Sequence, residues 1–119
     1  MLLRSGILTS SEGDAVALEN AMGASGVVVV CEHASSVLPK SAGDLGLSPE
    51  ALSSHIAWDP GALEIAQRLS TSLNGLLVHQ RFSRLIYDCN RPPESPAAMP
   101  EKSEIYAIPG NLNLSPAER

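Results

Sequence analysis

The sequence predicts an α/β chain with a mostly parallel sheet, built on a strand, helix, strand unit. Three observations carry that reading. Val27-Val28-Val29-Val30-Cys31 is a β-branched run with apolar residues on both faces, the pattern of a strand covered on two sides. Ala62, Ile65, Ala66, Leu69 and Leu73 recur at helical spacing. Leu76-Leu77-Val78 follows the helix-ending pair Asn74-Gly75 and begins a second strand.

Taken in order, residues 1–25 mix Ser, Gly, Glu and Ala without a sustained period and read as a loosely ordered lead-in, with two helical turns possible over Ala15 to Met22. The folded domain is placed at 26–119. After the valine strand, Ala34 to Leu47 carries Ser, Pro and Gly residues that break both periods, so it reads as a surface loop. Ser48-Pro49-Glu50 is a helix start, with Ser at the cap and Pro where its missing N–H costs nothing, and a short helix is expected through about His55. Asp59-Pro60-Gly61 repeats the start signal with Asp as cap for the main helix. Arg84-Leu85-Ile86-Tyr87 is a third candidate strand, stopped by Asp88, Asn90 and the Pro92-Pro93 pair. Six of the nine prolines lie from Pro92 onward, so no further long element is expected there.

At 119 residues the chain fits one domain or part of a larger one. Eight basic against thirteen acidic side chains leave a net charge of −5, and no basic run offsets it locally. With aromatic residues at only 3%, both the cationic patches and the stacking platforms of a nucleic-acid binder are lacking. No apolar run approaches the roughly 20 residues of a membrane-spanning helix, and the apolar start is too short for a secretory leader, so the sequence predicts neither a membrane partner nor export. Cytoplasmic residence is the expectation. Cys31 and Cys89 lack zinc-knuckle or disulfide-framework spacing and read as reduced, buried thiols.

Three clusters could carry chemistry. Cys31-Glu32-His33 sits at the end of the valine strand, where ligand sites of open α/β sheets gather. His55-Ile56-Ala57-Trp58-Asp59 holds an imidazole and a carboxylate suited to a metal, although Asp59 also suffices as a helix cap and His55 as a last-turn residue. Ser83 to Arg91 brackets an apolar stretch with Arg84, Asp88, Asn90 and Arg91; an arginine fork can grip a carboxylate at two points, and the plainer reading is a surface pair of Asp88 with Arg91.

Together these stretches, with Pro39, Leu45-Gly46-Leu47 and Pro109-Gly110-Asn111, resemble the N-formylglutamate amidohydrolase family over most of the chain. The resemblance implies a three-layer α/β fold related to zinc carboxypeptidases. It also implies hydrolysis of the formamide of N-formyl-L-glutamate, or a related N-acyl amino acid, to formate and glutamate with a divalent metal, zinc by expectation. His33 and Asp59, with His55 as substitute, are the implied metal ligands; Arg84, Asn90 and Arg91 are placed to hold substrate carboxylates, and Glu32 is the general base. Members of the family run to about twice this length, so the chain reads as an amino-terminal half lacking part of the site.

Two rivals follow. A remnant could bind small dicarboxylates through Arg84 and Arg91 without turnover, and a cysteine amidase could use Cys31 with His33, though no third partner is visible. A sheet of about three strands would also leave an open edge and an uncovered apolar face, which predicts self-association.

Overall fold

The computed structural model describes residues 6–119; the first five residues of the lead-in lie outside the described residues. The chain is a small α/β protein with a mixed sheet. Strands β1 (Val16–Glu19), β2 (Val28–Cys31) and β3 (Leu76–Gln80) lie in the order β1-β3-β2. β2 runs parallel to β3 and β1 antiparallel to it. The lead-in, read as loosely ordered, instead supplies a strand: Val16 and Leu18 are placed opposite Gln80 and Val78, and pairing overrides the weak local signal for helical turns.

Helix α1 (Pro49–Ser53) starts as predicted, with the Ser48 hydroxyl accepting from the Ala51 N–H, but ends before His55. Helix α2 (Ala62–Leu73) also matches its predicted span, and Asn74 closes it in the left-handed conformation. Its start differs. Gly61, at φ +85°, is the cap residue and no side chain caps the helix, because the Asp59 carboxylate is engaged elsewhere. The close junction behind α2 needs glycine: a Cβ on Gly75 would come within 2.5 Å of the Val27 carbonyl oxygen.

α2 packs on one face of the sheet, where Val29, Cys31 and Leu77 meet Ala62, Leu63 and Ala66. The other face is covered by the described residues only at its Gln80 end, where that side chain donates to the Tyr87 carbonyl; Val28 and Val30 there are 58% and 59% exposed, so the valine run is apolar on both sides but well covered on only one.

The larger core lies beside the sheet, among loops: Leu45, Leu47, Ala51, Ile56, Ala57, Leu85, Ile86 and Ile108 are all buried together. This explains why Arg84–Tyr87 is no strand. Leu85 and Ile86 are apolar because they enter this core from a turn, closed by the Ile86 N–H on the Ser83 carbonyl. Ser83 is fully buried; its hydroxyl donates to the Ala57 carbonyl (2.7 Å) and its N–H to the Val37 carbonyl (2.7 Å). Three irregular segments are thereby tied without a ladder.

The proline-rich end adds only a two-stranded ribbon, β4 (Lys102–Ser103) with β5 (Tyr106–Ala107), and single 3-10 turns. Asn111, buried, donates through its amide to the Leu85 carbonyl and to the Pro100 carbonyl, both at 2.8 Å. Two contacts lock this end onto the 45–46 stretch. Pro109 sits where a Cβ on Gly46 would come within 2.9 Å, and a Cβ on Gly110 would come within 2.8 Å of the Leu45 Cα.

Candidate active site

Three segments converge just beyond the carboxyl end of β2. His33 leaves that strand, and its backbone carbonyl accepts from the Asp59 N–H at 3.0 Å, drawing the segment ahead of α2 alongside. The Arg84–Asp88 turn closes the third side. It is held by Ser83 and Asn111 below, and by the Asp88 N–H, which donates to the Ala98 carbonyl.

The side chains meet on the imidazole of His33. Nε2 lies 2.8 Å from Asp88 Oδ1, and Nδ1 lies 3.1 Å from Asp59 Oδ2. Arg84 donates from Nη1 to Asp59 Oδ1 at 2.8 Å, and the same nitrogen lies 3.2 Å from His33 Nδ1. A guanidinium can only donate, so an Nδ1 that accepts from Arg84 leaves the ring proton on Nε2, donated to Asp88; the contact with Asp59 is a hydrogen bond only when Nδ1 itself carries a proton, so Arg84 and Asp59 compete for this nitrogen. Asp88 and His33 are largely sheltered, while the Asp59 carboxylate is half exposed.

Burial pushes the Asp88 carboxyl up. The hydrogen bonds from His33 and from the Asn90 backbone N–H, together with the charges of His33 and Arg84, outweigh that and hold it below the ordinary carboxylate range. The Cys31 thiol moves the other way: burial raises it, and Glu32 and Asp59 add to the rise. A buried thiol kept protonated is a poor nucleophile.

The other expected site residues fall as follows. Glu32 lines an open groove of about 340 Å³ that also includes His33, Asp59, Val30 and Ile65. His55 stands apart, with Nε2 2.8 Å from Glu104 Oε1 on the exposed surface. Asn90 contributes its backbone N–H to Asp88, and Arg91 Nε lies 3.8 Å from Asp88 Oδ2. Arg84 and Arg91 line a separate hollow of about 240 Å³ with Lys102, a cation that the sequence did not mark. Cys89 is exposed, against the expectation of a buried thiol, because it follows Asp88 out of the core into a turn. Asp88 is the main addition. Read as one half of a surface pair, it is in fact buried and bonded to His33.

The donor chemistry suits a divalent cation in part. Nδ1 of His33 and the Asp59 carboxylate are nitrogen and oxygen donors of the kind zinc takes. A carboxylate on the far imidazole nitrogen, as Asp88 is, orients metal-binding histidines. Among the described residues, no group of three or more His, Cys, Asp or Glu side chains is arranged to hold a metal ion. The Arg84 guanidinium occupies the position between the two donors.

The family model for N-formylglutamate amidohydrolase matches residues 25–119, the stretch that contains every one of these residues. The chain belongs to the N-formylglutamate amidohydrolase family. It is also similar to the crystal structure of a gene product from Agrobacterium tumefaciens, at 61% identity and a TM-score of 0.91. That match covers 94% of this chain and 44% of the other, so this chain spans less than half the length of that protein. No curated protein matches the chain significantly. Among the described residues, no helix is long and apolar enough to cross a membrane.

Proposed function

We propose that this amidohydrolase-family chain carries part of the active site of a metal-dependent hydrolase. It would cleave the formamide of N-formyl-L-glutamate, or a related N-acyl amino acid, within a three-layer α/β fold of the zinc-carboxypeptidase kind. The observation that carries this is the convergence of His33 and Asp59, from two separate family-matched segments, with Asp88 on the far side of the ring.

In this reading His33 Nδ1 and Asp59 would hold the metal once Arg84 swings away. A bound divalent ion supplies carbonyl polarisation and a water of lowered pKa. Asp88 fixes the His33 ring and tautomer, so that Nδ1 would offer its lone pair, beside the Asp59 carboxylate, to the ion. Glu32, on the wall of the same groove, takes a proton from the attacking water and later returns it to the leaving amine. Arg84 and Arg91, with Asn90 beside them, hold the substrate carboxylates through charge-assisted hydrogen bonds. His55, paired with Glu104 at the surface, has no part in this version of the site.

The test is formate release from N-formyl-L-glutamate with added zinc, by this chain and by this chain joined to the remaining portion of the Agrobacterium protein. Metal-dependent release by the joined protein, lost in Glu32→Gln, is expected. No release from either would remove the hydrolase reading.

A binding-only reading is favoured by one observation, the hollow where Arg84, Arg91 and Lys102 outnumber the carboxylates of Asp88 and Glu104. Calorimetry with glutamate and N-formylglutamate separates the two: heat without turnover in either protein supports binding alone.

A further inference from the structure

One arginine serves two neighbouring sites. Arg84 donates from Nη1 to Asp59 Oδ1 at 2.8 Å, and the same nitrogen lies 3.2 Å from His33 Nδ1. Among the described residues its hydrogen bonds run through Nη1 alone, so the two-pronged edge that a guanidinium offers a carboxylate is unused. Arg84 also lines the hollow of about 240 Å³ that holds Arg91 and Lys102. The two carboxylates of that hollow are already taken: Asp88 lies 2.8 Å from His33 Nε2, and Glu104 lies 2.8 Å from His55 Nε2. The cations are less engaged. Arg91 Nε lies 3.8 Å from Asp88 Oδ2, and Lys102 forms no ion pair among the described residues. An anion entering the hollow therefore meets positive charge that the chain itself does not use.

The hold of Arg84 on Asp59 is easily broken. The Asp59 side chain is 51% exposed, and an ion pair this open to water contributes little to stability. A carboxylate gripped at two points by the guanidinium, with two further cations beside it, is the stronger partner. We infer that Arg84 is a two-position arm coupling the hollow to the pair His33 and Asp59. A dicarboxylate in the hollow, one end on the Arg84 fork and the other on Arg91 and Lys102, draws the guanidinium off. His33 Nδ1 and Asp59 are then open to a divalent cation. Without the anion, the arm keeps that position closed. The converse follows by linkage: a cation held between His33 and Asp59 frees Arg84 for the hollow and tightens the dicarboxylate by the same factor. This inference rests on the carboxylate and metal roles proposed above and adds that the two ligands assist each other through one side chain.

The probe is glutarate, a dicarboxylate with no amine to chelate zinc, added to the full chain while imidazole nitrogen NMR reads His33. Glutarate alone, without zinc, is expected to shift the His33 Nδ1 resonance as Arg84 leaves it. With free zinc fixed by a metal buffer, saturating glutarate should raise zinc affinity about fivefold or more, and zinc should raise glutarate affinity by the same factor. In Arg84→Met zinc should bind more tightly from the outset and glutarate should no longer affect it; an unchanged melting transition shows that variant folded, and should it not fold, the two wild-type measurements decide. Lys102→Met should weaken glutarate binding yet keep the coupling once the hollow is saturated. Glutarate that does not bind, that binds without moving His33, or that leaves zinc affinity unchanged overturns the inference. So does a coupling that survives in Arg84→Met, which would be charge attraction at a distance. Zinc that fails to shift His33 even in Arg84→Met overturns the metal reading instead, and the zinc-free response of His33 to glutarate still decides whether Arg84 moves.

Discussion

The Nε2 of His33 lies 2.8 Å from the Oδ1 of Asp88, two residues 55 positions apart that meet in a sheltered corner of the molecule. Removing the carboxylate while keeping its shape isolates the contact. Asp88→Asn is expected to cost about 1–3 kcal/mol, the range for a buried charge-assisted hydrogen bond that loses its partner. Chemical denaturation of the two proteins at neutral pH checks it.

The same contact sets a pH dependence. The Asp88 carboxyl is held below its ordinary value in the folded chain, so the unfolded chain binds its proton more readily. Its stabilising contribution is complete above the unfolded value of about 3.9 and is lost as pH falls through the lower folded value. The stability gap between wild type and Asp88→Asn should therefore narrow as pH falls below about 4. A gap that does not close in that range would contradict the geometry.

Zinc titration tests the two-donor arrangement. Zinc is expected to shift the imidazole resonances of His33 and to leave those of His55 unmoved. Asp59→Asn should weaken the effect about tenfold or more, while Arg84→Met, which removes the competing guanidinium, should strengthen it. Heteronuclear NMR of the imidazole nitrogens reads all three.

How much of this was legible in the sequence depends on the range of the determining contact. α2 was readable because its period and its end at Asn74-Gly75 are local, whereas the expected Asp59 cap fails because contacts distant in sequence, with His33 and Arg84, take that carboxylate. The meeting of His33 with Asp59 was reachable because both flank recognisable elements and fall within family-like motifs. The strand at Val16–Glu19 was not, since its conformation is imposed by pairing with β3 some sixty residues away. Arg84–Tyr87 misled for a related reason: an apolar run says that residues are buried, not whether a strand or a turn buries them. Asp88 looked like half of a surface pair with Arg91 because sequence shows the neighbour at three positions and hides the imidazole at 55.

Asn111→Ala is expected to destabilise the chain by about 2–3 kcal/mol, as two carbonyl acceptors, those of Leu85 and Pro100, lose their donor away from solvent. Asn111→Asp should be no better, since a carboxylate offers these carbonyls no hydrogen. Thermal melts of the three proteins provide the comparison.

Gly75→Ala is expected to cost about 1–3 kcal/mol by overpacking, because the added methyl meets the Val27 backbone rather than a yielding side chain. Gly26→Ala is the control. A Cβ there meets nothing within 4 Å, and its effect should be small.

The interlock of Gly46 under Pro109 with Gly110 against Leu45 has a consequence for how such chains diverge. Each stretch is shaped to the relief of the other, so a bulkier residue in either is tolerable only alongside a matching retreat opposite. The two therefore make one unit of variation, and grafting either alone into a different background would bring half of a clasp without its counterpart.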